Sequence, residues 1–318
     1  MLALATSNLT KDYAVGFWRK RPYRALDHLT LAVDPGEVFG FLGPNGAGKT
    51  TTLKLLMRLV YPTSGDAEML GRPLGDRETR RRIGYLPENP PVYPELTVRQ
   101  YLTFVAEIKD VPRTRRRACV DRAIDRANVR EVADKRIAAL SKGFKQRVGL
   151  AQAIVHEPKV LILDEPTSSL DPKQRVEVRD LIVALRGEQT IILSTHILPE
   201  VSQVTDRVVI INRGKVMAVD TPDALSQRLR GREDVTVEVG GADVESVRHA
   251  LSAIPGVTRV TVDADGPDRV TARVQSDLGT DVRGDVARAL ASRWRLLALR
   301  GESLSLEEIF LKLTGEGH

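Results

Sequence analysis

The sequence predicts an α/β protein that ends in a smaller α+β unit, and three observations carry that expectation. Short apolar runs bounded by charges and turns, Val38-Phe39-Gly40-Phe41-Leu42, Val160-Leu161-Ile162-Leu163 and Thr190-Ile191-Ile192-Leu193, read as buried parallel strands. Stretches of helical periodicity lie between them, which is the alternation of a layered α/β core. After Asp220 the texture changes to short alternating strands and brief helices. A length of 318 residues fits roughly two domains, and 28% charged against 42% hydrophobic residues is ordinary globular composition.

Taken in order, Leu29, Leu31 and Val33 alternate as a strand, Asp34-Pro35-Gly36-Glu37 is a turn, and the strand at 38–42 runs into a glycine-rich loop. Leu53, Leu56, Met57 and Val60, spaced i, i+3, i+4, i+7, predict the helix that follows. Val98, Tyr101, Leu102 and Val105 repeat that spacing, and a second helix is expected over about 114–127. Arg80-Arg81-Arg82 and Arg113 with Arg115-Arg116-Arg117 read as solvated faces near helix ends. Thr221-Pro222 opens a helix through Leu225 and Leu229, Gly231 follows, and the domain boundary is placed there, giving 1–231 and 232–318. Beyond it, Val235, Val237 and Val239 alternate, 244–254 is helical, strands at 260–262 and 270–274 flank an Asp265-Gly266 turn, 282–290 is helical and 296–299 is a strand. The order βαββαβ is the ferredoxin-like plan. An amphipathic helix at 304–313 is expected to close the chain.

Composition narrows the function. No uncharged stretch approaches the ~20 apolar residues of a membrane-spanning helix. The N-terminus lacks the basic start and sustained apolar stretch of a secretory signal, so a cytoplasmic location is expected. The single cysteine, Cys119, closes no intrachain disulfide and makes no thiolate metal pair; it reads as a small apolar residue on a helix. Net charge is +6, but residues 232–318 hold 11 basic against 15 acidic side chains, and residues 1–231 hold 37 against 27. The basic first part permits an anionic partner such as an anionic membrane surface or nucleic acid.

Gly43-Pro44-Asn45-Gly46-Ala47-Gly48-Lys49-Thr50 satisfies G-x-x-x-x-G-K-[ST] between a strand and a helix, the context that motif requires. Successive backbone N–H groups can form an anion nest there, joined by the positive end of the new helix, with Thr51 in its first turn. Lys49 would neutralise β- and γ-phosphates, and the Thr50 hydroxyl would ligate Mg²⁺. The strand at 160–163 ends in Asp164 and Glu165, where a metal–nucleotide site wants carboxylates: Asp164 for the Mg²⁺ shell and Glu165 to polarise water.

Together these motifs resemble the nucleotide-binding subunit of ATP-binding cassette (ABC) transporters over roughly residues 9–220, which implies a P-loop cassette domain with a helical subdomain. Leu140-Ser141-Lys142-Gly143-Phe144-Lys145-Gln146-Arg147 is similar to the family's signature, so Ser141 and Gly143 would cap the γ-phosphate of ATP held by the opposite subunit. Lys142 and Phe144 stand where the commonest form has Gly and Gln. Ser168-Ser169-Leu170-Asp171 resembles the loop joining the two sites of the dimer, with Asp171 as its acidic member. Thr195-His196 resembles the switch histidine, and Tyr13 the aromatic that stacks on adenine. Phe17, Trp18 and Tyr23, in an apparent insertion at 14–24, compete for that stacking role. In Ile83-Gly84-Tyr85-Leu86-Pro87-Glu88, Glu88 replaces the usual glutamine that touches Mg²⁺. The following 89–97 segment would face the membrane subunit.

The resemblance implies an ATPase using ATP and Mg²⁺, dimerising with itself and powering export through a separately encoded transmembrane permease, peripheral on the cytoplasmic face of the inner membrane. No nucleic acid is expected. The alternative, a soluble cassette ATPase acting on ribosomes or nucleic acid, is disfavoured by features that the resemblance makes relevant. Only one phosphate loop and one signature are present, and only 91 residues separate Lys49 from Ser141, too few for a long coiled coil.

Overall fold

Leu4–Val15 (β1) and Arg21–Val33 (β2) pair antiparallel, from Leu4 opposite Val33 to Val15 opposite Arg21, with register shifts between Thr6 and Asp12. Of the segment 14–24 that reads in sequence as an insertion, Ala14 and Val15 belong to β1 and Arg21 to Arg24 to β2. The computed structural model describes residues 1–16, 21–168, 170–229, 234–266, 268–276 and 280–302. These divide into two units, Met1–Pro222 and Asp223–His318. The expected boundary at 231/232 and the expected helix at 304–313 lie outside the described residues.

In the first unit, Val38–Leu42 (β3) leads through the glycine loop into Lys49–Leu56 (α1). That helix stops before Met57 and Val60; Arg58, at φ 55, turns the chain out of it, while Met57 and Val60 still pack half-buried against the core. Ser64–Met69 (β4) and Arg72–Pro73 (β5) complete an antiparallel sheet ordered β2-β1-β4-β5. Arg77–Arg81 (α2), capped by Asp76, precedes Ile83–Leu86 (β6). A helical layer follows: Val98–Ile108 (α3), whose N-terminus Thr97 and Gln100 close in a capping box, Arg113–Arg126 (α4) and Lys142–Ile154 (α5). Cys119 is buried on α4.

The remaining elements are Val160–Asp164 (β7), Pro172–Ala184 (α6), Thr190–Thr195 (β8), Leu198–Val204 (α7), Arg207–Asn212 (β9) and Lys215–Asp220 (β10). They build a six-stranded sheet ordered β10-β9-β3-β8-β7-β6, parallel except at β10. Continuous apolar runs in these strands have a simple cause, because both faces are covered. Leu161 and Leu163 of β7 join the core with the helical layer, whereas Val160 and Ile162 point to the core that contains Phe39, Phe41 and Leu53. Within the arginine clusters Arg81 pairs with Glu78 and Asp110, Arg115 with Glu157, and Arg116 with Glu107.

Pro222–Leu229 (α8) spans the division, and the second unit begins at its Asp223. Asp234–Gly240 (β11), Val244–Ser252 (α9), Val257–Ala264 (β12), Arg269–Ser276 (β13), Arg283–Ala291 (α10) and Arg295–Glu302 (β14) follow. The sheet order β12-β13-β11-β14 with every pair antiparallel is the ferredoxin-like arrangement that the strand and helix order predicts. Val235, Val237, Val247, Leu251, Val274, Val286 and Leu290 form its own buried core.

Candidate nucleotide site

The site grows from the carboxyl ends of three neighbouring parallel strands, where open α/β sheets place ligands. β3 lies beside β8 and β8 beside β7, with Leu42 opposite Thr195 and Asp164 opposite Ser194. Chain segments leaving these strands therefore meet: the glycine loop after Leu42, Glu165 after Asp164 and His196 after Thr195.

The loop needs its glycines for different reasons. A Cβ on Gly43 would lie 2.3 Å from the Ile211 carbonyl oxygen, so close approach excludes a side chain there. Gly46 has open space around it but sits at φ +80, while Gly48 combines φ +109 with a Cβ position 2.5 Å from the Ala25 oxygen. Gly48 is also the N-cap of α1, so the first N–H groups of that helix open toward the loop. Lys49 is 5% exposed and folds back on the loop, its Nζ donating to the carbonyls of Gly43 (2.7 Å) and Pro44 (3.3 Å) and lying 3.3 Å from Glu165 Oε1.

Asp164 and Glu165 are both buried. Asp164 Oδ1 accepts from Thr50 Oγ1 at 3.1 Å and from Ser194 Oγ at 2.6 Å. Burial raises the Asp164 carboxyl above the ordinary range, and these hydroxyl donors oppose the rise. Glu165 reaches Lys49 with one oxygen and His196 Nδ1, at 2.8 Å, with the other. His196 remains 46% exposed, so its outer ring nitrogen side is open to the cleft.

A cleft of about 410 Å³ opens above these groups, lined by Tyr13, Tyr23, Ala25, the loop from Pro44 to Thr51, Glu88, Glu165, Ser168 and His196. Its polar end is the loop with the carboxylates, and its apolar end is the β1–β2 pair. Tyr13 and Tyr23 sit directly opposite each other on β1 and β2, with the Lys11 ammonium 5.0 Å from the Tyr13 ring centre. Phe17 and Trp18 lie outside the described residues. The donor set of Thr50, Asp164 and Glu88 suits Mg²⁺, which takes oxygen ligands and relies on few protein carboxylates beside substrate phosphates and water. Among the described residues no group of three or more His, Cys, Asp or Glu is arranged to hold a metal unaided.

Ser141, Gly143 and Asp171 do not line this cleft. Ser141 is the N-cap of α5, Asp171 caps α6 by accepting from the Gln174 N–H, and the Gly143 Cβ position would clash with the Gln174 side chain. Phe144 faces its own unit, its ring 4.3 Å from the Arg147 guanidinium carbon, and Arg147 pairs with Glu177. Lys142 is exposed. Sequence reasoning missed two contacts. Gln146 Nε2 donates to the Pro166 carbonyl, joining the signature-like helix to the loop just after Glu165, and Ser194 bridges Asp164 and Glu165. Ser194 closes the apolar run Ile191-Ile192-Leu193, which is its one signal in the sequence, whereas Gln146 stands between Lys145 and Arg147, where nothing sets it apart.

The ABC transporter family model matches residues 26–168. An uncharacterized ABC transporter ATP-binding protein of Synechocystis sp. is 38% identical over 250 residues, covering 78% of this chain and 70% of that protein. The Nod factor export ATP-binding protein I of Burkholderia thailandensis is 34% identical over 301 residues, 91% of this chain and 92% of its own. Among solved structures, a dimeric ATP-binding cassette in a post-hydrolysis state with ADP and Pi bound superposes with a TM-score of 0.63 at 25% identity, over 69% of this chain and 98% of that one.

Proposed function

We propose that this chain, which belongs to the ABC transporter family as an ATP-binding subunit and ATPase, pairs with a second copy around two nucleotides and drives export through a separately encoded membrane permease. The observation that carries the residue assignment is the convergence of Lys49, Thr50, Glu165 and His196 on one cleft, with buried Asp164 hydrogen-bonded to Thr50. The loop 43–50 would wrap the phosphates with its backbone N–H groups, Thr51 among the first helical residues, while Lys49 leaves its carbonyl and carboxylate partners for phosphate oxygens. Glu165, held by His196, would orient and polarise the attacking water, and His196 would turn its exposed side to the γ-phosphate. Thr50, Asp164 and Glu88 would hold Mg²⁺, whose charge counters that of the phosphates when it is bound. Tyr13 would stack on the base. Ser141, Gly143 and Asp171, which lie away from the cleft of their own chain, would act on the nucleotide held by the second copy.

Export is supported by the alignment with the Nod factor export subunit across nine-tenths of this chain. Among the described residues no helix is long and apolar enough to cross a membrane, so attachment to the cytoplasmic face would come through the permease. Residues 1–231 would form the ATP-binding domain and 232–318 an accessory domain. The test is steady-state hydrolysis with parallel nucleotide binding. Glu165→Gln should bind MgATP yet hydrolyse about 10²–10⁴ times more slowly, and Lys49→Ala should lose ATP binding. Hydrolysis by Glu165→Gln at the wild-type rate would remove Glu165 from the water-polarising role.

A further inference from the structure

We propose that Ser194 is a positioning residue of the hydrolysis site, its single hydroxyl setting the Asp164 carboxylate and the Glu165 backbone at one fixed spacing. This rests on the roles proposed above for those two acids.

Ser194 is the next-to-last residue of β8, and the sheet register puts it directly opposite Asp164 of β7. It is fully buried in a strand otherwise made of Ile191, Ile192 and Leu193 with threonines at its ends. A hydroxyl in such a place has no water to satisfy it, so its partners must be protein groups. It has two. The Ser194 Oγ–H donates to Asp164 Oδ1 at 2.6 Å, and the same oxygen accepts the Glu165 N–H at 3.1 Å. The Glu165 N–H also points at the Ser194 carbonyl oxygen, at 3.1 Å.

Glu165 needs that hold. Its φ of 49 lies in the left-handed region that a glutamate adopts only under constraint. This backbone turn sends the side chain back over the glycine loop, to Lys49 and His196. Without the Ser194 hydroxyl, the Glu165 N–H would keep one acceptor, and Asp164 Oδ1 would keep only Thr50 as a side-chain donor. Thr50 is a proposed metal ligand on a different element, so it would carry no memory of where Glu165 lies. Ser194 touches both acids at once and nothing that reacts, which is the geometry of a residue acting through others.

The experiment uses the full chain with Ser194→Ala, Ser194→Thr and Glu165→Gln. Three quantities are read: kcat and KM for ATP; the Mg²⁺ concentration giving half the full affinity for a fluorescent ATP analogue; and the thermal midpoint without nucleotide. For Ser194→Ala the expectation is a fall in kcat of about 10–100-fold and a rise of about tenfold in the Mg²⁺ half-point, with analogue affinity in EDTA kept within about twofold. Ser194→Thr, which keeps the hydroxyl, should recover most of kcat. Serine and alanine occupy nearly the same volume, so a loss in Ser194→Ala reports the hydroxyl even if the extra methyl of threonine lowers the midpoint of the second variant. Ser194→Ala with unchanged kcat and Mg²⁺ half-point, whatever its midpoint, would overturn the proposal. So would a well-folded Ser194→Thr as impaired as Ser194→Ala. Wild-type hydrolysis by Glu165→Gln would instead fault the role given to Glu165, leaving the Mg²⁺ result for Ser194 to be judged on its own.

Discussion

Replacing Glu165 with glutamine should change stability as well as rate, and in opposite senses with and without nucleotide. Lys49 and Glu165 form an ion pair at 3.3 Å with side chains only 5% and 8% exposed, so solvent screens little of it. Removing one partner of a buried pair costs about 3–5 kcal/mol when the other charge is stranded. Lys49 is not wholly stranded, because the carbonyls of Gly43 and Pro44 still accept from it, and the amide keeps an oxygen near the ammonium. About 2 kcal/mol is therefore the expected loss. For a unit of roughly 200 residues that lowers the midpoint by about 4–8 °C. ATP should reverse the deficit, since phosphate oxygens supply Lys49 with the counter-charge that the variant lacks. Bound ATP should therefore raise the variant's midpoint by more than it raises that of the wild type, beyond the ~2.7 kcal/mol that ligand at a hundred times Kd adds to either. Scanning calorimetry at neutral pH, with and without ATP, reads both effects. A nucleotide-free midpoint equal to that of the wild type would refute the reasoning, because it would mean that the pair contributes nothing where it is most buried.

Gly48→Ala should destabilise the first unit by about 2 kcal/mol or more, since it adds strain at φ +109 to a 2.5 Å approach to the Ala25 oxygen; denaturant titration checks it. Tyr13→Ala should weaken ATP binding by about tenfold, the scale of one lost base stack, while leaving competition by inorganic tripolyphosphate unchanged. Burial, with the Lys109 charge adding to it, holds His156 down to about 4 against an ordinary 6.5. The unfolded chain thus binds more protons between those values, so this contribution to stability is complete above about pH 6.5 and is lost as pH falls toward 4. His156→Gln, whose amide can still donate to the Ile83 carbonyl that His156 Nε2 contacts at 3.1 Å, should show a flatter loss over that window in thermal melts.

Much of the site was legible because its chemistry is written in consecutive residues. The glycine loop is continuous from Gly43 to Thr50, and Asp164-Glu165 follows an apolar run, so spacing alone placed both at strand ends. The runs at 160–163 and 190–193 were legible for the related reason that two covered faces favour apolar residues at successive positions. β1 was not, because Thr6 and Thr10 are buried among its leucines and break the alternation; Thr6 Oγ1 donates to the Leu29 carbonyl and accepts the Leu31 N–H, a cross-strand need invisible within one segment. The end of α1 was placed too late because Met57 and Val60 keep helical spacing while Arg58 leaves helical geometry. The contacts of Ser194 and Gln146 escaped notice because their partners lie 30 and 20 residues away.

The most direct test of the central claim is the mass of Glu165→Gln in solution, by sedimentation velocity with and without MgATP. A chain of 35.1 kDa that becomes twice that mass only with MgATP, with one nucleotide retained per chain, is the expected result. A species that stays at the single-chain mass at saturating MgATP would contradict the account, because Ser141, Gly143 and Asp171 would then have no second nucleotide to act on.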